Sequence, residues 1–211
     1  MPKIRESYIG NTTLYGLWEI KETSAELEQR IVLTPLERQM LDSFKNETRR
    51  QHWLSYRLLI RELLGMHEVD VRYKDSGKPY MNEPRGHLSV SHSGSYSAVI
   101  YSPSLRVGID IERIHEKILR VAHKFVSEKD AAFIAPLFRM QQLVVIWAAK
   151  EALYKLIGDT GVDFREHLTV QPFSYAEQGI LKAQSTVKGK QESFEMNYEQ
   201  IDDYIMVYVT A

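Results

Sequence analysis

"RVGIDIERI" (residues 106–114) decides how this chain is read. Taken as a β-strand, it puts Val107, Ile109 and Ile111 on one face and Gly108, Asp110 and Glu112 on the other. The two carboxylates then stand about 6.6–7 Å apart along the strand. At an effective dielectric of ~20 they repel by about 2 kcal/mol. Two readings meet that cost. An antiparallel sheet commonly keeps one wet face, on which both acids stay solvated. A hard divalent cation would instead turn the repulsion into attraction.

Working outward, "SPS" (102–104) just before the strand is the only internal stretch that looks like a joint. Upstream of it, "HLSVSHSGSYSAVIYS" (87–102) reads as one or two strands interrupted at Ser93-Gly94, and "KDSGKP" (74–79) as a turn. "TTLYGLWEI" (12–20) alternates as a first strand does. "TPLERQMLDSF" (34–44) opens a helix, with Thr34 as N-cap, Pro35 in the first turn and Glu37 three residues on. "ETRRQHWLSYRLLIRELLG" (47–65) continues as a long amphipathic helix with Trp53, Tyr56, Leu59 or Ile60, and Leu63 on one side, ending at Gly65.

Downstream, Ser127 with Asp130 marks another helix start, and a helix is expected from about 136 to 158. "LTVQP", "GILKAQSTV", "ESFEMNYE" and "YIMVYVTA" read as strands, with "KGK" (188–190) as a hairpin turn. This mixed order predicts an α+β fold. No internal repeat or low-complexity tract is visible.

The composition narrows the function classes. With 44% apolar and 26% charged residues in 211, the chain is an ordinary globular protein with length enough for a real core. A formal net charge of −1 supplies no basic field for nucleic acid or an anionic membrane. The absence of cysteine removes disulfides, thiolate zinc sites, iron–sulfur clusters and a cysteine nucleophile. "MPKIRESYIG" has no apolar core of signal-peptide length, and the longest apolar run, "LVVIWAA" (143–149), is too short to span a bilayer. A cytoplasmic protein is therefore expected.

Two further segments carry chemistry-bearing side chains. In "WAAKEALYK" (147–155), Trp147, Glu151 and Lys155 recur every four residues and share one helix face. As a solvated pair, Glu151 and Lys155 contribute only ~0.2–0.5 kcal/mol. The pair follows directly on an apolar stretch suited to burial, however, and Lys150 adds a second ammonium. In "SVSHSG" (89–94), adjacency does not make a nucleophile–base pair, because neighbouring strand side chains face opposite ways. Its hydroxyls and imidazole could instead receive a phosphate. A Walker-type loop and kinase signatures are both missing, which argues against nucleoside triphosphate chemistry.

Taken in order, "GKPY", "SVSHSG", "VGIDIE" and, 41 positions from Asp110 to Glu151, "WAAKEALYK" resemble the surfactin-type 4′-phosphopantetheinyl transferases. The family pattern is an apolar-Gly-apolar-Asp run with a second acid two residues on. About forty residues later come an aromatic residue, Lys-Glu and a further Lys. The resemblance covers residues 34–155; Ala148 stands where the family often has Ser, Thr or Cys. It implies transfer of phosphopantetheine from coenzyme A to a serine of an apo acyl or peptidyl carrier protein.

The same resemblance implies two similar α+β halves, about 1–104 and 105–211, packed as a pseudo-dimer in one monomeric chain. Asp110, Glu112 and Glu151 would converge on one Mg²⁺, with Mn²⁺ a possible substitute. Glu151, directly or through a metal-bound water, would take the serine proton, and Lys155 would steady the leaving phosphate, with Lys150 in support. Lys78, Ser91 and a protonated His92 would hold the nucleotide's phosphates, joined by Arg38 and Arg57. For the family's N-terminal basic pair on the 3′-phosphate, "LERQM" offers Arg38, and the second cation has no clear counterpart. The segment "LRVAHKF" (119–125) is a candidate for carrier docking. The rival reading is a non-catalytic module of the same fold that binds coenzyme A or a carrier.

Overall fold

The helix-start signals take the form their chemistry requires in the computed structural model, which describes residues 4–211. The first three residues of the N-terminal stretch quoted above lie outside the described residues. Thr34 and Glu37 form a reciprocal capping box at the head of helix α2 (Pro35–Ser43), as Ser127 and Asp130 do at the short α5 (Glu128–Ala131). Asn46 caps α3 (Glu47–Leu64), and Gly65 ends it at φ 62°, the left-handed conformation a glycine adopts without a Cβ penalty. The long α6 (Arg139–Ile157) ends at Gly158 in the same way. It starts three residues later than the sequence suggests, because Pro136–Phe138 form a 3₁₀ turn.

Strands β1 (Ile4–Ile9), β2 (Thr13–Glu19), β5 (His87–Ser93) and β6 (Tyr96–Ser102) build an antiparallel sheet in the order β1-β2-β6-β5. Strand β7 (Val107–Arg113) begins a second antiparallel sheet, β7-β11-β10-β9-β8. Its other members are β8 (Leu168–Val170), β9 (Gln178–Val187), β10 (Lys190–Ile201) and β11 (Tyr204–Thr210). The fold is α+β, as expected. Sequence reading overlooked β1 and the short helix α1 (Ser24–Glu28), and took as a plain turn what is the tip of a hairpin, β3 (Val71–Tyr73) with β4 (Pro79–Met81).

Each sheet has a helix on its outer face. Trp18, Val99 and Tyr101 face α3 in one core. Ile205, Val207 and Val209 face α6 in another. A third core lies between the sheets, where Leu17, Ala98 and Ile100 meet Val107, Ile109, Ile111 and Met206. Strand alternation thus sends the apolar face of "RVGIDIERI" into the inter-sheet core and its Gly-Asp-Glu face toward α6. At the closest approach, a Cβ on Gly108 would lie 2.0 Å from the Ala152 carbonyl oxygen, so only glycine lets the helix come this near.

Candidate functional site

Strand β7 and helix α6 bring the acids and Lys155 into one region. Asp110 is buried; its Oδ1 accepts from Lys155 Nζ at 2.6 Å and from Ser91 Oγ at 2.7 Å. Glu112 is half-buried, accepting from Trp147 Nε1 at 3.0 Å and from Ser93 Oγ at 3.2 Å. Burial raises the Asp110 carboxyl despite Lys155. Burial and the neighbouring Asp110 raise Glu112. Glu151 is pushed up to about 7, first by burial and then by Asp110 and Glu112, with Lys155 opposing. The three carboxylates therefore feel one another.

They are not drawn into a closed cluster: among the described residues, no three acidic or imidazole side chains stand ready to grip an ion between them. The oxygens of Glu112 and one oxygen of Asp110 are instead held by hydroxyl, indole and ammonium donors. The donor chemistry nevertheless suits a hard cation. Asp110 Oδ2 is a buried carboxylate oxygen without a hydrogen-bond partner among the described residues, and such an oxygen is costly unless something binds it.

The seam between the two sheets is made by β5 and β7, the edge strands of their respective sheets. Alternate serines of β5 read β7 in register. Ser89 Oγ accepts from the Ile109 backbone N–H at 3.2 Å, while Ser91 and Ser93 donate to Asp110 and Glu112. The period of two in "SVSHS" was the available sequence signal for this row.

Two clefts flank the acids. One, of about 330 Å³, runs between strand β5 and helix α6 and is lined by Tyr73, Lys78, Ser89, His92, Glu151, Tyr154 and Lys155. It adjoins a cavity of about 380 Å³ that shares Tyr56, Tyr73 and His92 and adds Phe44, Arg49 and Trp53. The exposed Arg49 lies over the Phe44 ring, and Trp53 Nε1 is buried without a partner among the described residues. Arg49, which sequence reading did not single out, belongs to a basic pair with Arg50 in the first turn of α3. The other cleft, about 560 Å³, opens beside Glu112 and Trp147. It has an apolar floor of Ile118, Val121, Phe125 and Val144 and a rim of Arg113, His115, Lys117 and Lys124.

Several expected contacts need correction. Lys150 is fully buried; its Nζ donates to the carbonyls of Phe125 (2.7 Å) and Phe164 (2.8 Å) and to Asp130 (2.6 Å), so it cannot reach a phosphate. Arg57 is 2% exposed; it pairs with Glu37 at 3.2 Å, lies 3.5 Å over Trp53 and donates to Tyr56 and Tyr73, which wall it off from the cleft. Arg38 is exposed and pairs with Glu28, away from both clefts. Ser91 is committed to Asp110 rather than to the cleft.

Lys78 does line the cleft, but its Nζ caps the last carbonyls of α6, Lys155 O at 2.6 Å and Leu156 O at 3.3 Å. His92 stacks on His52 with ring centroids 4.3 Å apart. Desolvation, His52 and Lys155 lower its imidazole to about 4, so it is neutral at pH 7 rather than protonated.

A family model described as the 4′-phosphopantetheinyl transferase superfamily matches residues 106–209, the second sheet and its helices. No curated protein matches the chain. Among the described residues, no helix is long and apolar enough to cross a membrane.

Proposed function

We propose, from the premise that residues 106–209 belong to the 4′-phosphopantetheinyl transferase superfamily, that the chain modifies a carrier protein. It moves the 4′-phosphopantetheine group of coenzyme A onto a serine hydroxyl of an apo acyl or peptidyl carrier and releases adenosine 3′,5′-bisphosphate. The observation that carries this reading is the buried Asp110, with its orphaned oxygen, set beside Glu151, which lines one cleft, and Glu112, which lines the cation-rimmed apolar one.

Coenzyme A takes the cleft between β5 and α6, with its diphosphate toward Lys155 and its 3′-phosphate toward Arg49 in the adjoining cavity. His92 serves there as a neutral hydrogen-bonding group. The carrier takes the other cleft, where Lys117 and Lys124 suit an acidic partner and the apolar floor receives its side chains. Residues 119–125 contribute to that floor.

Asp110, Glu112 and Glu151 would hold Mg²⁺, or Mn²⁺ in its place; when bound it neutralises the diphosphate oxygens against which these acids would otherwise be repelled. Glu151, directly or through a water, takes the serine proton as the hydroxyl oxygen forms its bond to phosphorus. The bond from that phosphorus to the oxygen of the adenosine 5′-phosphate breaks. Lys155 swings from Asp110 to steady the negative charge that leaves with it. Portions 1–104 and 105–211 act as two related halves of one monomer, and the reaction belongs to the cytoplasm.

The test is intact-protein mass spectrometry of several apo carriers incubated with coenzyme A and Mg²⁺, with and without a chelator. A chelator-sensitive gain of one phosphopantetheine on a carrier is the expected result. Asp110→Ala and Glu151→Ala should abolish it while leaving the circular dichroism spectrum unchanged. Coenzyme A binding with no transfer to any carrier would favour the non-catalytic module, and near-normal turnover in either variant would remove the roles given to these acids.

A further inference from the structure

Lys150 is fully buried and takes no part in the chemistry above. Its ammonium has three donors, and each meets an acceptor: Phe125 O, Phe164 O and Asp130 Oδ2. The two carbonyls come from segments on opposite sides of α6 in sequence, one before α5 and one after Gly158. They also belong to the two residues whose rings flank Trp147. The Phe125 and Trp147 centroids are 5.0 Å apart, and those of Trp147 and Phe164 are 5.5 Å apart. Trp147 in turn donates its indole N–H to Glu112 Oε1 at 3.0 Å.

We infer that Lys150 is a positioning residue: by pinning the backbones of Phe125 and Phe164 it sets an aromatic clamp on Trp147, and so aims the indole N–H that orients Glu112. The choice of residue supports this. A buried ion pair is often no more stable than a well-packed apolar replacement, so packing alone does not call for lysine here. An apolar side chain, however, would leave one buried and one part-buried carbonyl without this partner and free both segments to drift. Asp130 anchors the arrangement from the far side, its Oδ1 accepting from Val170 N at 3.1 Å and its Oδ2 from Ser127. The consequence for function rests on the reading of Glu112 given above, whereas the clamp itself does not.

Nuclear magnetic resonance of ¹⁵N-labelled indoles in the protein without added metal tests the clamp directly. Trp147→Phe identifies the Trp147 signal, leaving those of Trp18 and Trp53 as internal references. Lys150→Met is expected to move or split the Trp147 signal and leave the other two in place. Asp130→Asn, which keeps the ammonium and both carbonyl bonds, should lower the melting temperature without moving that signal. A merely structural role would instead make the signal follow stability in both variants. The doubly neutral Lys150→Met/Asp130→Asn protein strands no buried charge and carries the test where the single variant does not fold.

A Mg²⁺ titration read from the same resonance should require about tenfold more ion, or more, once Lys150 is replaced. An unmoved Trp147 signal in every folded protein lacking Lys150 would overturn the inference. A moved signal with an unchanged Mg²⁺ requirement would uphold the clamp and overturn its consequence for metal binding at Glu112. Should the unaltered protein transfer nothing to any carrier, the enzymatic reading falls while the indole spectra still decide the clamp.

Discussion

Gly108→Ala isolates the contact that brings strand β7 against helix α6. A methyl group built there lies 2.0 Å from the Ala152 carbonyl oxygen, 2.9 Å from its carbonyl carbon and 3.1 Å from Leu156 Cβ. Even a favourable C–H···O contact keeps carbon and oxygen about 3.3–3.6 Å apart, so strand and helix must part by more than about 1 Å. The obstructing atoms are backbone, and no rotamer relieves them. Overpacking of a core costs ~1–3 kcal/mol, and the upper end of that range is expected here. A domain with 5–15 kcal/mol of stability, to order of magnitude, stays folded at that cost.

The displaced turn of α6 lies between Glu151 and Lys155, so the same shift moves both against Asp110. Misplacing reacting groups by about 1 Å lowers rates roughly 100-fold. Gly16→Ala is the matched comparison. Its methyl would meet the flexible ends of Leu59 and Leu63 at 3.0 Å, which can give way, and the Arg5 carbonyl oxygen of edge strand β1 at 3.2 Å, which need shift only a few tenths of an ångström, so its cost should be about 1 kcal/mol with transfer nearly intact. Urea denaturation measures stability, and carrier mass increase per unit time measures transfer. A Gly108→Ala protein as stable and as active as Gly16→Ala would refute the close-approach argument.

Other perturbations test separate parts of the molecule. Arg49→Ala should raise the KM for coenzyme A about tenfold or more while leaving kcat close to normal, since it removes one charged contact far from the reacting phosphorus; steady-state kinetics decides it. The His92 ring should titrate with a midpoint below 5.5 when followed by proton resonance, because its folded value is lowered to about 4. A histidine so lowered contributes stability that is present above its unfolded value of about 6.5 and is lost as pH falls toward 4, a loss His92→Gln should lessen. Asp130→Ala should cost ~3–5 kcal/mol by urea denaturation, because it leaves the Lys150 ammonium buried without its partner.

The elements most legible in the sequence were those specified locally. Thr34-Pro35-Glu37 and Ser127-Asp130 mark helix starts through side chains three residues apart, and alternation in 106–114 assigns each face of β7 without outside help. Asp110, Glu112, Glu151 and Lys155 were legible because one strand and one helix present them. Lys150 and Arg57 were misread for the opposite reason. On an isolated helix a charged residue looks solvated, and what buries these two comes from elsewhere in the chain: Asp130 and Phe164 for Lys150, Glu37 and Tyr73 for Arg57. Arg49 escaped notice because its cavity exists only once α3, Phe44 and β3 are assembled. Strand β1 was overlooked because a largely exposed edge strand shows little apolar alternation.

The apolar layer shared between the two sheets bears on how the chain can be divided. Cleaving it within residues 103–105 would leave each fragment with its own helix-covered core but with one bare greasy face, Leu17, Ala98 and Ile100 on the first and Val107, Ile109 and Met206 on the second. Each piece alone should therefore associate through that face. Produced together, they would find each other, which makes this joint a natural place to build a two-part reporter whose signal depends on reunion.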